Sequence, residues 1–174
     1  FKLSQENIKR DAIQINPVIS EAMNLLQQAM KRKTGLSGLQ TGFHELDKVT
    51  SGWQRSDLII VAARPAMGKT AFSLSMAKNM ALNYGTGVAL FSLEMANVQL
   101  VNRLIVNTCE IKGEKLRSGK LDDHEMAQLQ TKIKELEDAP IYVDETANLS
   151  VFELRSKARR LVREHNVGMI IIDY

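Results

Sequence analysis

Residues 63–70 read Ala-Arg-Pro-Ala-Met-Gly-Lys-Thr, directly after the apolar run Leu58 to Ala62. A strand that enters a tight loop and leaves it as a helix aims backbone N–H groups and a helix N-terminus at one point. That geometry suits the β- and γ-phosphates of a nucleotide. The candidate binding residues are Arg64, Pro65, Ala66, Met67, Gly68, Lys69, Thr70 and Ala71. Lys69 would place a point charge on the phosphate oxygens, and the Thr70 hydroxyl would be a ligand of Mg²⁺. Ala63 stands where such loops usually have their first glycine. Only glycine reaches the left-handed region without cost, so either position 63 is extended or the loop opens in another way.

Hydrolysis needs a metal anchor and a group that positions or deprotonates water. Asp173 follows the apolar run Met169 to Ile172, so its carboxylate is expected at the C-terminal end of a buried strand, where it could hold Mg²⁺ through the metal's water shell. Glu94 closes the run Val88 to Leu93 and should reach the same sheet edge, within range of an attacking water. Asp144 and Glu145 also end a strand and compete for that role, although solvated turn positions suit them as well. Arg103 is a long cation on the helix after Glu94, where a solvated face is its default. Arg155, Arg159 and Arg163 form a stripe opposite Val151, Leu154, Ala158 and Leu161. Such a stripe could meet DNA or an acidic neighbour, but a charged solvent face is the simpler reading. His44, His124 and His165 lack metal-ligand spacing.

The elements that must hold these groups alternate from Asp57 onward, the sign of a parallel sheet with crossover helices. Strands are expected at Leu58–Ala62, Val88–Ser92, Ile141–Val143 and Met169–Ile172. Helices are expected at about Lys69–Tyr84, Val98–Cys109, Asp122–Asp138 and Val151–His165, two of them opened by capping-box pairs, Asp122 with Glu125 and Ser150 with Glu153. Phe72, Met76, Met80 and Tyr84 share one helix face and should be core. Upstream, residues 1–16 read as a polar linker. A helix over 17–33 follows, with Asn16 as N-cap, Pro17 in first position, Lys31, Arg32 and Lys33 at its C-terminal end and Gly35 as its stop. Its stripe of Val18, Ala22, Leu25 and Ala29, with Ile19, Leu26 and Met30 beside it, needs an apolar partner in this domain or in a second copy.

With 174 residues, 44% apolar and 25% charged, the chain suits one soluble domain with a sizeable core. Its apolar runs are far shorter than the ~20 residues of a membrane span, and no signal peptide opens it. The single cysteine, Cys109, excludes an internal disulfide and fits a reducing, cytoplasmic setting. A net charge of +3 permits a polyanionic partner without requiring one. A start at Phe1 and a stop at Tyr174, at a strand that should be central, suggest part of a longer protein.

Five segments together resemble the motor domain of the bacterial replicative hexameric DNA helicases of the DnaB type. They are Thr41 to Asp47, Asp57 to Thr70, Phe91 to Met95, Arg117 to Leu121 and Ile170 to Tyr174. Many ATPases share the phosphate loop; the Arg-Pro-x-Met-Gly-Lys-Thr wording and Phe-Ser-Leu-Glu-Met are far narrower. Ala63 is also that family's choice. The resemblance implies a RecA-like P-loop NTPase core over 36–174, preceded by a linker segment over 1–35 whose helix docks on the adjacent subunit of a ring of six. It implies ATP and Mg²⁺ at subunit interfaces, Glu94 as activator of the hydrolytic water and Arg103 as a contributor to the nucleotide site. Single-stranded DNA in the channel, 5′ to 3′ movement, and primase and loader contacts are implied as well. The DNA-lining loops and an arginine finger are expected beyond Tyr174, so the chain alone should bind nucleotide and hydrolyse it poorly. Two other readings remain: a RecA-like recombination or repair ATPase, which the Phe91 to Met95 strand disfavours, and a nucleotide-sensing ring-assembly module.

Overall fold

The computed structural model describes residues 14–30 and 35–174. Residues 1–13 of the expected linker and the basic helix end at Lys31, Arg32 and Lys33 lie outside the described residues.

Three short strands rich in apolar residues form a parallel sheet in the order β2-β1-β3: β1 (Gly87–Ser92), β2 (Ile141–Asp144) and β3 (Val167–Asp173). All six residues of β1 are buried, as a central strand covered on both faces requires. The register pairs Phe91 with Asp144 and Ser92 with Asp173, so the three strands finish nearly level. Their last residues therefore share one edge.

The helices cover both faces. α3 (Lys69–Tyr84) and α4 (Asn97–Cys109) bury Leu74, Met76, Met80, Leu100 and Leu104 against Val88, Leu90 and Ile171. Each such side chain contributes about 1.5–3 kcal/mol when fully buried. Of the stripe expected to be core, Met76 and Met80 are buried, Phe72 stacks on Phe43 at 5.0 Å, and Tyr84 is 39% exposed. α7 (Val151–His165) lays Leu154 and Leu161 over Ala89, Phe91 and Val167 on the opposite face. Val151, expected on that apolar side, is 77% exposed at the first residue of α7, where i, i+4 spacing sets it beside Arg155 of the charged stripe. α6 (Asp123–Glu137) packs on α4. Both expected capping boxes are formed, at Asp122 with Glu125 and at Ser150 with Glu153. Two short helices were not legible by periodicity, α2 (His44–Thr50) and α5 (Gly113–Ser118), since each offers fewer than two full turns.

Residues 38–53 clamp α3 from behind. The buried Asp47 carboxylate accepts from Thr41 N (2.8 Å), Thr41 Oγ1 (2.7 Å) and Gly42 N (3.2 Å), which satisfies a charge otherwise costly to bury. Gly42, at φ +81°, passes so close to α3 that a Cβ would stand 2.4 Å from Asn79 Cβ.

Two expectations need correction. Leu58–Ala62 is not a paired strand: it carries no strand assignment, and Leu58, Ile60 and Val61 are 87%, 76% and 38% exposed. A strand is held by cross-strand pairs and by cover on its faces; among the described residues neither lies over this run. The N-terminal helix, α1 (Ile15–Met30), begins before its assigned cap, so Asn16 and Pro17 both lie inside the first turn. Proline is tolerated there because first-turn N–H groups have no intrahelical partner. Gly35, at φ +67°, has the left-handed backbone expected of a helix stop. The described apolar side chains of α1 face outward: Ile15, Val18, Ile19, Met23, Leu26 and Met30 are 43–79% exposed.

Candidate active site

The loop at 63–70 turns through Arg64 and Met67, whose N–H donates to the Arg64 carbonyl at 3.2 Å. Left-handed backbone occurs at Ala66 (φ +63°) and Gly68 (φ +92°), and Ala63 is absent from that region. This resolves the missing glycine: position 63 needs no φ above zero, and the bend falls three residues later. Gly68 then serves as the N-cap of α3 without a side-chain cap, and no acidic residue occupies the first turn. The first amides of a helix lack intrahelical partners, and with the dipole they favour an anion.

Thr70 and Lys69 meet Asp173 across the level strand edge. Thr70 Oγ1 donates to Asp173 Oδ2 at 2.7 Å, and Lys69 Nζ stands 3.2 Å from Asp173 Oδ1. Lys69 also donates to the Tyr174 carbonyl oxygen and lies 5.1 Å from the centre of that ring. Asp173 is 8% exposed, and it is the last residue of β3 rather than the first beyond it. The donor set, an alcohol and a carboxylate beside an ammonium and a helix N-terminus, fits a hard oxygen-seeking cation together with phosphate.

Glu94 lies in the bend after β1, exposed, and makes no hydrogen bond or ion pair among the described residues. Its neighbours are fastened. Leu93 N–H donates to the Asp173 carbonyl at 2.9 Å, and Met95 N–H donates to the buried Ser92 Oγ at 3.0 Å. The rival acids are engaged elsewhere. Asp144 accepts from Lys157 at 2.6 Å and from Thr146 N at 2.9 Å, and Glu145 accepts from Asn97 N at the start of α4. Burial alone would raise the Asp144 pKa; the hydrogen bonds from Lys157 and Thr146 outweigh it and hold the carboxyl below its usual range.

Arg103 is exposed on α4 and rims a cleft of about 800 Å³ between α3, α4, α5 and α6. Ala71, Leu74, Met95, Leu116, Leu129 and Ile133 also line it, and sequence reading gave no sign of it. Arg155 and Arg159 are exposed on α7, as is Arg163 beside Glu164 at 3.4 Å. His165 stacks on Tyr142 at 4.6 Å, and no cluster of metal-ligating side chains occurs among the described residues.

The family model described as "DnaB-like helicase C terminal domain" matches residues 38–174. The chain belongs to that family. This DnaB-like domain is 45% identical to the "Replicative DNA helicase DnaB" of Rhodothermus marinus over its full length, covering 18% of that protein. It is 44% identical to the "Replicative DNA helicase DnaC" of Bacillus subtilis (strain 168), over 92% of the chain and 35% of that relative. Among solved structures, one described as an ATPase domain matches with a TM-score of 0.84 at 32% identity, over 94% of this chain and 58% of that one. "The Structure Of A DnaB-Like Replicative Helicase And Its Interactions With Primase" matches at 0.79 and 32%, over 92% and 42%. The DnaB-like domain thus has the RecA-like α/β core expected of it, and it spans well under half the length of these two curated relatives. The family sets aside the recombination or repair reading. No helix among the described residues is long and apolar enough to cross a membrane.

Proposed function

We propose that this domain is the ATP-hydrolysing motor of a replicative DNA helicase. The observation that carries the reading is the convergence of Lys69 and Thr70 with Asp173 at the C-terminal edge of the sheet. Lys69 and the amides at the start of α3 bind the β- and γ-phosphates, while Thr70 and Asp173 would hold Mg²⁺. The chemistry that Mg²⁺ would supply when bound there is neutralisation of charge on the phosphate oxygens. Glu94 takes the proton of a water as its oxygen bonds to the γ-phosphorus; the bond to the β-phosphate oxygen breaks, leaving ADP and phosphate. Arg103 supports the nucleotide from α4.

Turnover is coupled to 5′ to 3′ movement on single-stranded DNA in the channel of a homohexamer, with primase and loader as further partners in the cytoplasm. Support for a ring comes from α1. Its exposed apolar face lacks cover among the described residues, and the cleft between α3 and α6 is lined largely by apolar side chains. We place α1 of one subunit in that cleft of the next.

The test is Glu94→Gln in the assembled protein, read by nucleotide binding, ATP hydrolysis and fork unwinding. Binding should persist while hydrolysis falls by about 10²–10⁴, the usual worth of a general base. Normal ring assembly, with no hydrolysis or unwinding for the substitution to remove, would favour the ring-assembly module, which does not unwind.

A further inference from the structure

The cleft that would receive a neighbour's α1 reaches the catalytic edge. Ala71 and Leu74 in its wall follow Lys69 and Thr70 on α3, and Met95 follows Glu94. Met95 faces two ways: its side chain lines the cleft and also packs against the core cluster that contains Leu74 and Leu100. Its amide is tied to Ser92, whose register partner is Asp173. Glu94 is therefore suspended between two anchored amides, with its own carboxylate unbonded among the described residues. A carboxylate without a partner is not held in line with an attacking water, and a misplacement of about 1 Å can cost about 10²-fold in rate. Whatever fills the cleft presses on the side chain of Met95, the residue whose amide fixes the far end of this turn.

We infer that a neighbouring copy's α1, seated in the cleft, holds Glu94 in its hydrolytic position through Met95, so that subunit contact sets the hydrolytic rate. The inference rests on the docking proposed above. Met95 is a positioning residue, since it acts through Glu94 and touches neither nucleotide nor water. The occupant is a second copy because α1 presents its apolar stripe, Val18, Ile19, Met23 and Leu26, outward from its own domain. At 1.5 Å per residue the 16 residues of this helix make it about 24 Å long.

The experiment uses the 174-residue chain with its own helix disabled by Ile19→Asp and Leu26→Asp, and a fluorescent peptide of residues 14–30 supplied in trans. Peptide binding is followed by polarisation, and steady-state hydrolysis of MgATP is followed against ATP concentration. Saturating peptide should raise the maximal rate by about tenfold or more while half-saturation by ATP stays within about twofold, as expected when only the attack geometry changes. Met95→Ala should lose that acceleration even at saturating peptide, and Met95→Leu should restore it. Leu129→Ala, at the far wall, should weaken peptide binding yet reach the full rate once saturated. Peptide that binds without changing the rate, or a Met95→Ala chain that still accelerates, overturns the coupling and leaves docking intact. Peptide that does not bind, or binds without regard to Leu129, overturns the docking and the coupling together.

Discussion

Thr70 Oγ1 donates to Asp173 Oδ2 at 2.7 Å across 103 residues of sequence, joining the start of α3 to the end of β3. The same carboxylate stands 3.2 Å from Lys69 Nζ. One buried acid thus meets both the proposed phosphate-binding cation and the proposed metal-binding alcohol.

Asp173→Asn keeps the shape and removes the charge. Affinity for MgATP should fall by about tenfold or more, equal to about 1.4 kcal/mol, while affinity for metal-free ATP changes by less than about threefold. Titration calorimetry with and without Mg²⁺ measures both; equal losses in the two arms would remove Asp173 from the metal site.

Gly68→Ala tests the loop's backbone. Nothing lies within 4 Å of an added Cβ, so crowding is no obstacle, but φ +92° is strained for any L side chain. The cost should be about 1–2 kcal/mol, taken from nucleotide affinity if the loop relaxes and from thermal stability if it does not. Fluorescent-nucleotide titration beside a melting curve reads both, and an unchanged pair of values would contradict the assigned geometry.

Leu26→Asp tests α1. Leu26 is 54% exposed, so the monomer's melting temperature should stay within a few degrees, whereas assembly into rings should be lost. Light scattering after size exclusion gives the answer: rings that persist would mean that α1 is not the connecting element.

The Asp144–Lys157 pair gives a pH signature. A carboxyl whose folded pKa lies below its unfolded value of 3.8 contributes stability that is fully present above pH 3.8. That contribution is lost as pH falls through the lower, folded pKa. Both side chains remain about a quarter to a third exposed, so the contribution should not exceed about 1 kcal/mol. Asp144→Asn should therefore cost up to about 1 kcal/mol at pH 7 and progressively less in denaturant titrations below pH 4, which flattens the acid side of the stability curve. A loss of the same size at both pH values would assign Asp144 a packing role.

Local chemistry determined much of this protein. The ends of α3 and α7, both capping boxes, the parallel strands β1, β2 and β3 and the burial of Met76 and Met80 follow from short-range rules: period, caps, β-branched runs and left-handed glycines. The loop at 63–70, Glu94 and Asp173 were equally legible as candidates, because strand ends in such sheets gather on one edge. Leu58–Ala62 was misread because an apolar run becomes a strand only when neighbours pair with it and cover it, which is a property of the surroundings. Only the tertiary structure decided that Asp144 and Glu145 are committed to Lys157 and to the α4 N-terminus while Glu94 is not. It alone also showed that Met95 links the turn at Glu94 to an apolar cleft. Such relations depend on helices brought together across the whole fold, and no spacing along the chain records them.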